Sequence, residues 1–209
     1  MTQSQSQSHR DGRVALLGGT FNPVHIGHLY IAEVVLAAGN FDRVLFVPTH
    51  LPAHKPADEL VSSNHRMRMV QQAIDHQPRF AVSDVELRRP GTSYTIDTLR
   101  DLRRHNLVQS IPGLVLGDDL IAEYRTWRQH EQLAAEVSFL VARRLPSRDA
   151  HAAARSAFDY PHLVLDNAVL DVSSTLLRGR VRRGQVVRHL VPDAVLDYIN
   201  RNRLYRTPP

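Results

Sequence analysis

The sequence predicts an α/β fold built on a central parallel sheet flanked by helices, and three observations carry that expectation. Short apolar runs that read as strands alternate with stretches of helical period along the chain. Glycine, proline or acidic residues close several of those runs, as at Gly18–Gly19, Pro48 and Gly117–Asp119. No internal repeat and no linker divides residues 13–209, which read as one domain with a small helical portion from about Asp171. Residues 1–12 are polar and repetitive, and are expected to form a disordered tail.

VALLGG is a buried strand ending in two glycines. A helix follows from His25 or Ile26 to Ala38, with Leu29, Ala32, Val35 and Leu36 at helical spacing and Gly39 as its stop. DRVLFVP is the next strand, and the proline-rich THLPAHKPADELVSS is a loop. A helix is expected from about Asn64 to His76, then short strands over RFAVSD and VELRR. SYTIDTLRDLRRH reads as a helix with Ile96, Leu99 and Leu102 on one face. GLVLGDD is a strand, and DLIAEYRTWRQHEQLAAE is helical with a break near Arg125. VSFLVARR, with its basic end, and HLVLDN are the last strands. SSTLLRGRVRRG and PDAVLDYINRN are closing helices.

Composition narrows the class. Hydrophobic residues make up 43% and charged residues 22%, which fits a water-soluble globular chain. No apolar run approaches the ~20 residues of a membrane span, and the first residues lack the apolar core of a secretory signal. The chain has no cysteine, so neither disulfides nor thiolate-bound zinc can hold it together. That suits the cytoplasm. Lys and Arg number 26 against 21 Asp and Glu, a balance that favours anionic partners. Aromatics are 6% and do not interleave with the basic runs, which argues against a nucleic-acid surface.

The stretch Gly18 to His28, GGTFNPVHIGH, holds the sharpest signal. Gly18 and Gly19 permit a tight turn and close backbone approach to an anion. Thr20 adds a hydroxyl. His25 and His28 flank Gly27 at a helix start, where imidazoles can donate to phosphate oxygens. The plain alternative is a strand-to-helix turn with one histidine capping and the other packing. A zinc site would need a third ligand, and none is obvious nearby. Elsewhere, Ser173, Ser174 and Thr175 precede a helix bearing Arg178, which reads equally as an anion site or as an N-cap with a solvated arginine. Gly117 permits close approach at a strand end. Asp118 and Asp119 follow it, and Asp118 reads as a cap for the next helix. Arg180, Arg182 and Arg183 read as a solvated basic face.

GGTFNPVHIGH resembles the signature of the nucleotidyltransferase superfamily, a Rossmann-like fold with an HxGH motif. Within it the chain resembles the bacterial nicotinate-nucleotide adenylyltransferases. VPTHLPAHKP from Val47, GTSYTIDTL from Gly91, LGDDL from Leu116, Thr126–Trp127, DVSSTLLR from Asp171 and the ending VPDAVLDYINRNRLY carry that likeness after residue 12. HxGH alone also occurs in class I aminoacyl-tRNA synthetases, whereas SYTIDTL with the later Trp and SST-x-x-R is far more discriminating.

The resemblance implies transfer of the adenylyl group of ATP to nicotinate mononucleotide, giving nicotinate adenine dinucleotide and pyrophosphate in NAD biosynthesis. It implies His25, His28, Lys55 and Arg178 as the catalytic set. ATP would be held by Gly18, Gly19, Thr20, Phe21, His25, His28, Gly117, Asp119, Ser173, Ser174, Thr175 and Arg178. Lys55, Tyr94, Thr95, Trp127 and Arg128 would hold nicotinate mononucleotide, with the indole stacking on the pyridine ring. Mg²⁺ would arrive on the ATP phosphates rather than in a protein site. Lysine is usually solvated, and a core role competes for Tyr94 and Trp127. Two departures from the family pattern stand out: Asn22 where many relatives have Asp, and Ala53 where many have a second proline. The rival readings are pantetheine-phosphate adenylyltransferase or a cytidylyltransferase of the same superfamily, and a non-catalytic nucleotide or RNA binder. Nothing in the sequence decides between monomer and homo-oligomer.

Overall fold

The computed structural model of the chain describes residues 12–52 and 60–206. The expected tail before residue 12, Ala53 and Lys55 lie outside the described residues. In chain order the elements are β1 (Val14–Gly19), α1 (Ile26–Ala37), β2 (Arg43–Pro48), β3 (Leu51–Pro52), α2 (Ser63–Ile74) and β4 (Phe80–Val82). Then come β5 (Thr92–Ser93), α3 (Thr95–Arg104), β6 (Gly113–Gly117), a 3-10 helix (Asp118–Thr126), α4 (His130–Glu136) and β7 (Ser138–Ala142). The chain closes with α5 (Arg148–Ser156), β8 (His162–Val164), α6 (Ser174–Arg182) and α7 (Asp193–Arg201).

Six strands form one sheet in the order β4-β2-β1-β6-β7-β8, with every neighbouring pair parallel. This is a doubly wound arrangement: the winding reverses between β1 and β6, and the crevice beyond the carboxyl ends of those two strands is the place such sheets bind ligands. The two faces of the sheet are divided by alternate residues. Ala15 and Leu17 of β1, with Val44 and Phe46 of β2, pack into one cluster with residues of α1, α2, α6 and α7. Val14, Leu16, Leu45 and Val47 point the other way, against Ile96, Leu99 and Leu102 of α3 and the segment Ile121–Tyr124. Each such buried side chain contributes roughly 1.5–3 kcal/mol, so both faces are strongly specified. The closing helices join the first cluster through Leu177, Val195 and Ile199.

Four local expectations are corrected. VELRR is a turn: the N–H groups of Arg88 and Arg89 donate to Asp84 and Glu86 carbonyls, while Val85 and Glu86 are buried. Two neighbouring residues thus point inward, which a turn allows and a half-buried strand does not. Thr92–Ser93 is a short strand on Leu51–Pro52, so α3 starts at Thr95 and the proline-rich loop is not wholly irregular. The break in the long helical stretch falls later than Arg125: Trp127 is extended and Gln129 has a left-handed backbone at φ +53°. Helix α5 lies where the sequence shows no element, because it buries only His151 and so carries no apolar stripe.

Candidate functional site

The loop from β1 to α1 lies at the switch point. Gly18 is exposed with open space where a side chain would project, and Gly19 accepts the Thr49 N–H at 2.9 Å, tying the ends of β1 and β2 together. Phe21 sits at φ +47° with its ring fully buried, edge-on to His28 at 4.9 Å and near Phe46. Only its backbone is therefore available to a nucleotide.

His25 is the N-cap of α1 and is 4% exposed. Burial, reinforced by the positive charge of Arg144, lowers its pKa to about 4, so the imidazole is neutral near pH 7. Its ring stacks on that of His28, centroids 3.8 Å apart. The His25 N–H donates to Nδ1 of His28 at 3.2 Å, which puts the proton of a neutral His28 on Nε2. Gly27 between them is tightly enclosed. A Cβ there would lie 3.0 Å from a Val172 methyl and 3.1 Å from the His25 ring. The helix start is less open than the sequence suggests, since the N–H groups of Ile26 and His28 already donate to Leu190 and His25 carbonyls. The imidazoles are the better donors toward an anion.

Beyond β6, Asp119 is exposed and folds back over Gly117, where a Cβ would lie 2.2 Å from Asp119 Oδ1. Arg144, at the basic end of β7, lies 3.9 Å from Asp119 Oδ2. Asp118 does not cap the 3-10 helix as expected. It is 2% exposed, accepts the N–H groups of Arg144 and Leu145 through Oδ1, and meets His151 Nδ1 at 2.5 Å through Oδ2. It braces the β7–α5 connection that presents Arg144.

Ser173 caps α6 by accepting the Leu176 N–H, and Thr175 is exposed on its first turn. Ser174 Oγ donates to the Pro23 carbonyl at 2.8 Å and Arg178 Nη1 to that of Asn22 at 3.2 Å. These two side chains thus hold the backbone of the β1–α1 loop. Asn22 is 1% exposed, and its Oδ1 accepts from Tyr205 at 3.0 Å and from the Val61 N–H at 3.4 Å.

A second group assembles at the start of α3. Tyr94 is its N-cap and Thr95 its first residue. The Arg128 guanidinium lies 4.9 Å over the Tyr94 ring and reaches Asp97 at 3.4 Å. Trp127, half-buried, packs 5.5 Å from Tyr124. Tyr94, Thr95, Trp127 and Arg128 thus come from two segments into one neighbourhood, joined to the end of β2 by the His50 N–H bond to Ser93 Oγ at 3.1 Å. Sequence reasoning missed Arg66, Tyr205 and Arg144 as individual residues; Arg144 left a signal in the basic end of its strand, and Tyr205 in the family-like ending. Among the described residues, no group of three His, Asp or Glu could hold a metal ion.

Residues 16–180 match the family model described as Cytidylyltransferase-like. A Synechococcus protein named "Probable nicotinate-nucleotide adenylyltransferase" is 43% identical, over 94% of this chain and 96% of its own. A Borreliella burgdorferi protein of the same name is 35% identical, over 92% and 96%. A solved structure, the Plasmodium falciparum nicotinic acid mononucleotide adenylyltransferase complexed with NaAD, superposes with TM-score 0.76 at 19% identity, covering 92% of this chain and 97% of that one.

Proposed function

The chain belongs to the nicotinate-nucleotide adenylyltransferases of the cytidylyltransferase-like family, and from that membership we propose how its crevice between β1 and β6 works. The reaction is transfer of the adenylyl group of ATP to nicotinate mononucleotide. A phosphate oxygen of the mononucleotide attacks the α-phosphorus of ATP, the bond to the β-phosphate breaks, and pyrophosphate leaves with its electron pair. The attacking oxygen is already ionised, so no general base is needed. Positioning and charge neutralisation are the work left to the protein.

The observation that carries this reading is the stacked His25–His28 pair at the switch point, one imidazole braced by the other's backbone. His28 Nε2–H is directed as a donor to phosphate oxygen, and Arg144 adds a cation beside His25. Gly18, Gly19 and Thr20 let the triphosphate approach the backbone, with Asp119, which covers Gly117, facing the nucleoside. Ser174 and Arg178 hold the loop and, with Ser173 and Thr175, border the same anion. Lys55 is the phosphate contact that the family likeness assigns. Tyr94, Thr95, Trp127 and Arg128 receive the nicotinate side. Mg²⁺ fits this arrangement, because it enters on the ATP phosphates and keeps most of its waters, for which the exposed Asp119 carboxylate offers a hard acceptor. No helix among the described residues is long and apolar enough to cross a membrane, and a cytoplasmic site of action suits ATP as substrate.

The test supplies ATP and Mg²⁺ with nicotinate mononucleotide, nicotinamide mononucleotide or phosphopantetheine and follows pyrophosphate release. Preferred turnover of nicotinate mononucleotide is expected. Turnover of phosphopantetheine alone would sink the reading.

A further inference from the structure

Arg66, near the start of α2, is 2% exposed. Among the described residues it forms no ion pair. Its hydrogen bonds go to backbone carbonyls: Nη1 to Thr20 at 2.9 Å and Thr49 at 2.5 Å, Nη2 to His50 at 3.1 Å, and Nε to Val61 at 3.3 Å. Burial lowers its pKa from the ordinary arginine value. Desolvating a cation costs several kcal/mol, and an apolar side chain would often fill such a space at less cost. What an apolar side chain cannot supply is a rigid planar fork of donors.

The three segments that the fork joins matter to the reaction. Thr20 belongs to the phosphate loop after β1. Thr49 and His50 follow β2, and the His50 N–H bonds Ser93 Oγ while Leu51–Pro52 pairs with Thr92–Ser93, directly before Tyr94 and Thr95. Val61 returns to the phosphate loop through its N–H bond to Asn22. One buried side chain therefore connects the ATP side of the crevice to the nicotinate side.

We infer that Arg66 is a positioning residue that sets the spacing between the two substrate segments, and so governs the transfer step rather than the binding of either substrate alone. This rests on the adenylyltransferase reading. Two mutually repelling phosphates must meet with reacting atoms about 3–3.5 Å apart, and a misplacement of about 1 Å costs on the order of 100-fold in rate. Lysine, a point charge on a flexible stem, cannot hold the same carbonyls at fixed angles.

The experiment uses Arg66→Lys and Arg66→Ala in the full chain. For Arg66→Lys the expected result is a cooperative melt, affinities for ATP and for nicotinate mononucleotide, each measured alone, within about threefold of the parent, and kcat reduced roughly 30–100-fold. Methylguanidinium is expected to restore part of kcat to Arg66→Ala. An unchanged kcat in a folded Arg66→Lys overturns the inference. So does loss of both single-substrate affinities in step with the rate. Should neither variant fold, hydrogen exchange on the unaltered protein decides: ATP alone is expected to slow amides at 49–51 and 92–95 together with those at 18–28, and protection confined to 18–28 overturns the inference. The exchange measurement needs no acceptor. An acceptor other than nicotinate mononucleotide would sink the proposed reaction and leave this coupling separately measured.

Discussion

The backbone N–H of His25 donates to Nδ1 of His28 at 3.2 Å, so the second histidine is oriented by the backbone of the first. That bond leaves Nε2 as the nitrogen that carries the proton of a neutral His28. Removing one such donor from a site where charge develops costs on the order of 10²–10³ in kcat. His28→Ala is expected to lose activity on that scale in a pyrophosphate-release assay, with its melting temperature within a few degrees of the parent. Full turnover in the variant would remove the histidine from the mechanism.

His25 gives the fold a pH dependence of defined sign. Its folded pKa is lowered from 6.5 to about 4, so below pH 6.5 the unfolded chain takes up a proton that the folded chain refuses. Stability present above pH 6.5 is lost as the pH falls toward 4, by about 3 kcal/mol from this group. Urea titrations at pH 7 and pH 4 should show a smaller difference for His25→Asn by about that amount. An identical pH response in the two proteins would contradict the burial argument.

Gly27 lies between the histidines where a Cβ would press on Val172 and on the His25 ring. Gly27→Ala is expected to cost about 1–3 kcal/mol by overpacking and to lower kcat by displacing His25. Denaturant melts and kinetics on the same preparation check both effects.

Asn22 explains its own departure from the family pattern. Its Oδ1 accepts from Tyr205 and from the Val61 N–H, and a carboxylate oxygen could do the same. Asn22→Asp is therefore expected to be tolerated. Asn22→Leu, which takes the amide oxygen from the part-buried Tyr205 hydroxyl and Val61 N–H, should destabilise by about 1–3 kcal/mol. Equal melting temperatures for the Leu variant and the parent would count against this account.

In the proposed reading Trp127 stacks on the nicotinate ring. Trp127→Ala is expected to raise KM for nicotinate mononucleotide about tenfold or more, the scale of a lost aromatic contact, while KM for ATP stays near the parent value. A rise confined to ATP would move the indole to the other substrate.

Much of the candidate site could be read locally. GGTFNPVHIGH is a contiguous strand end and helix start, so its glycines and histidines are fixed by turn geometry and spacing that sequence displays. Tyr94–Thr95 and Trp127–Arg128 were legible as short motifs, though not that the Arg128 guanidinium lies over the Tyr94 ring. The alternation of strands and helices likewise determined the parallel sheet, because each strand's two apolar faces must both be covered.

Other features exist only in three dimensions. Arg66 looks like any surface arginine in a helical pattern, and becomes a hub because α2 lays it against carbonyls from loops after two different strands. Asp118 looks like a helix cap, and becomes a brace because β7 delivers the Arg144 and Leu145 amides to it. Tyr205 sits far along the chain from Asn22 and meets it only when α7 packs on α2. The sequence by itself determined the strand order's raw material and the chemistry of the histidine pair, since both are set by neighbours in the chain. Which polar side chains are buried, and which carbonyls they hold, was decided by the tertiary structure alone, because a hydrogen bond depends on the partner that packing brings and not on the residue that precedes it.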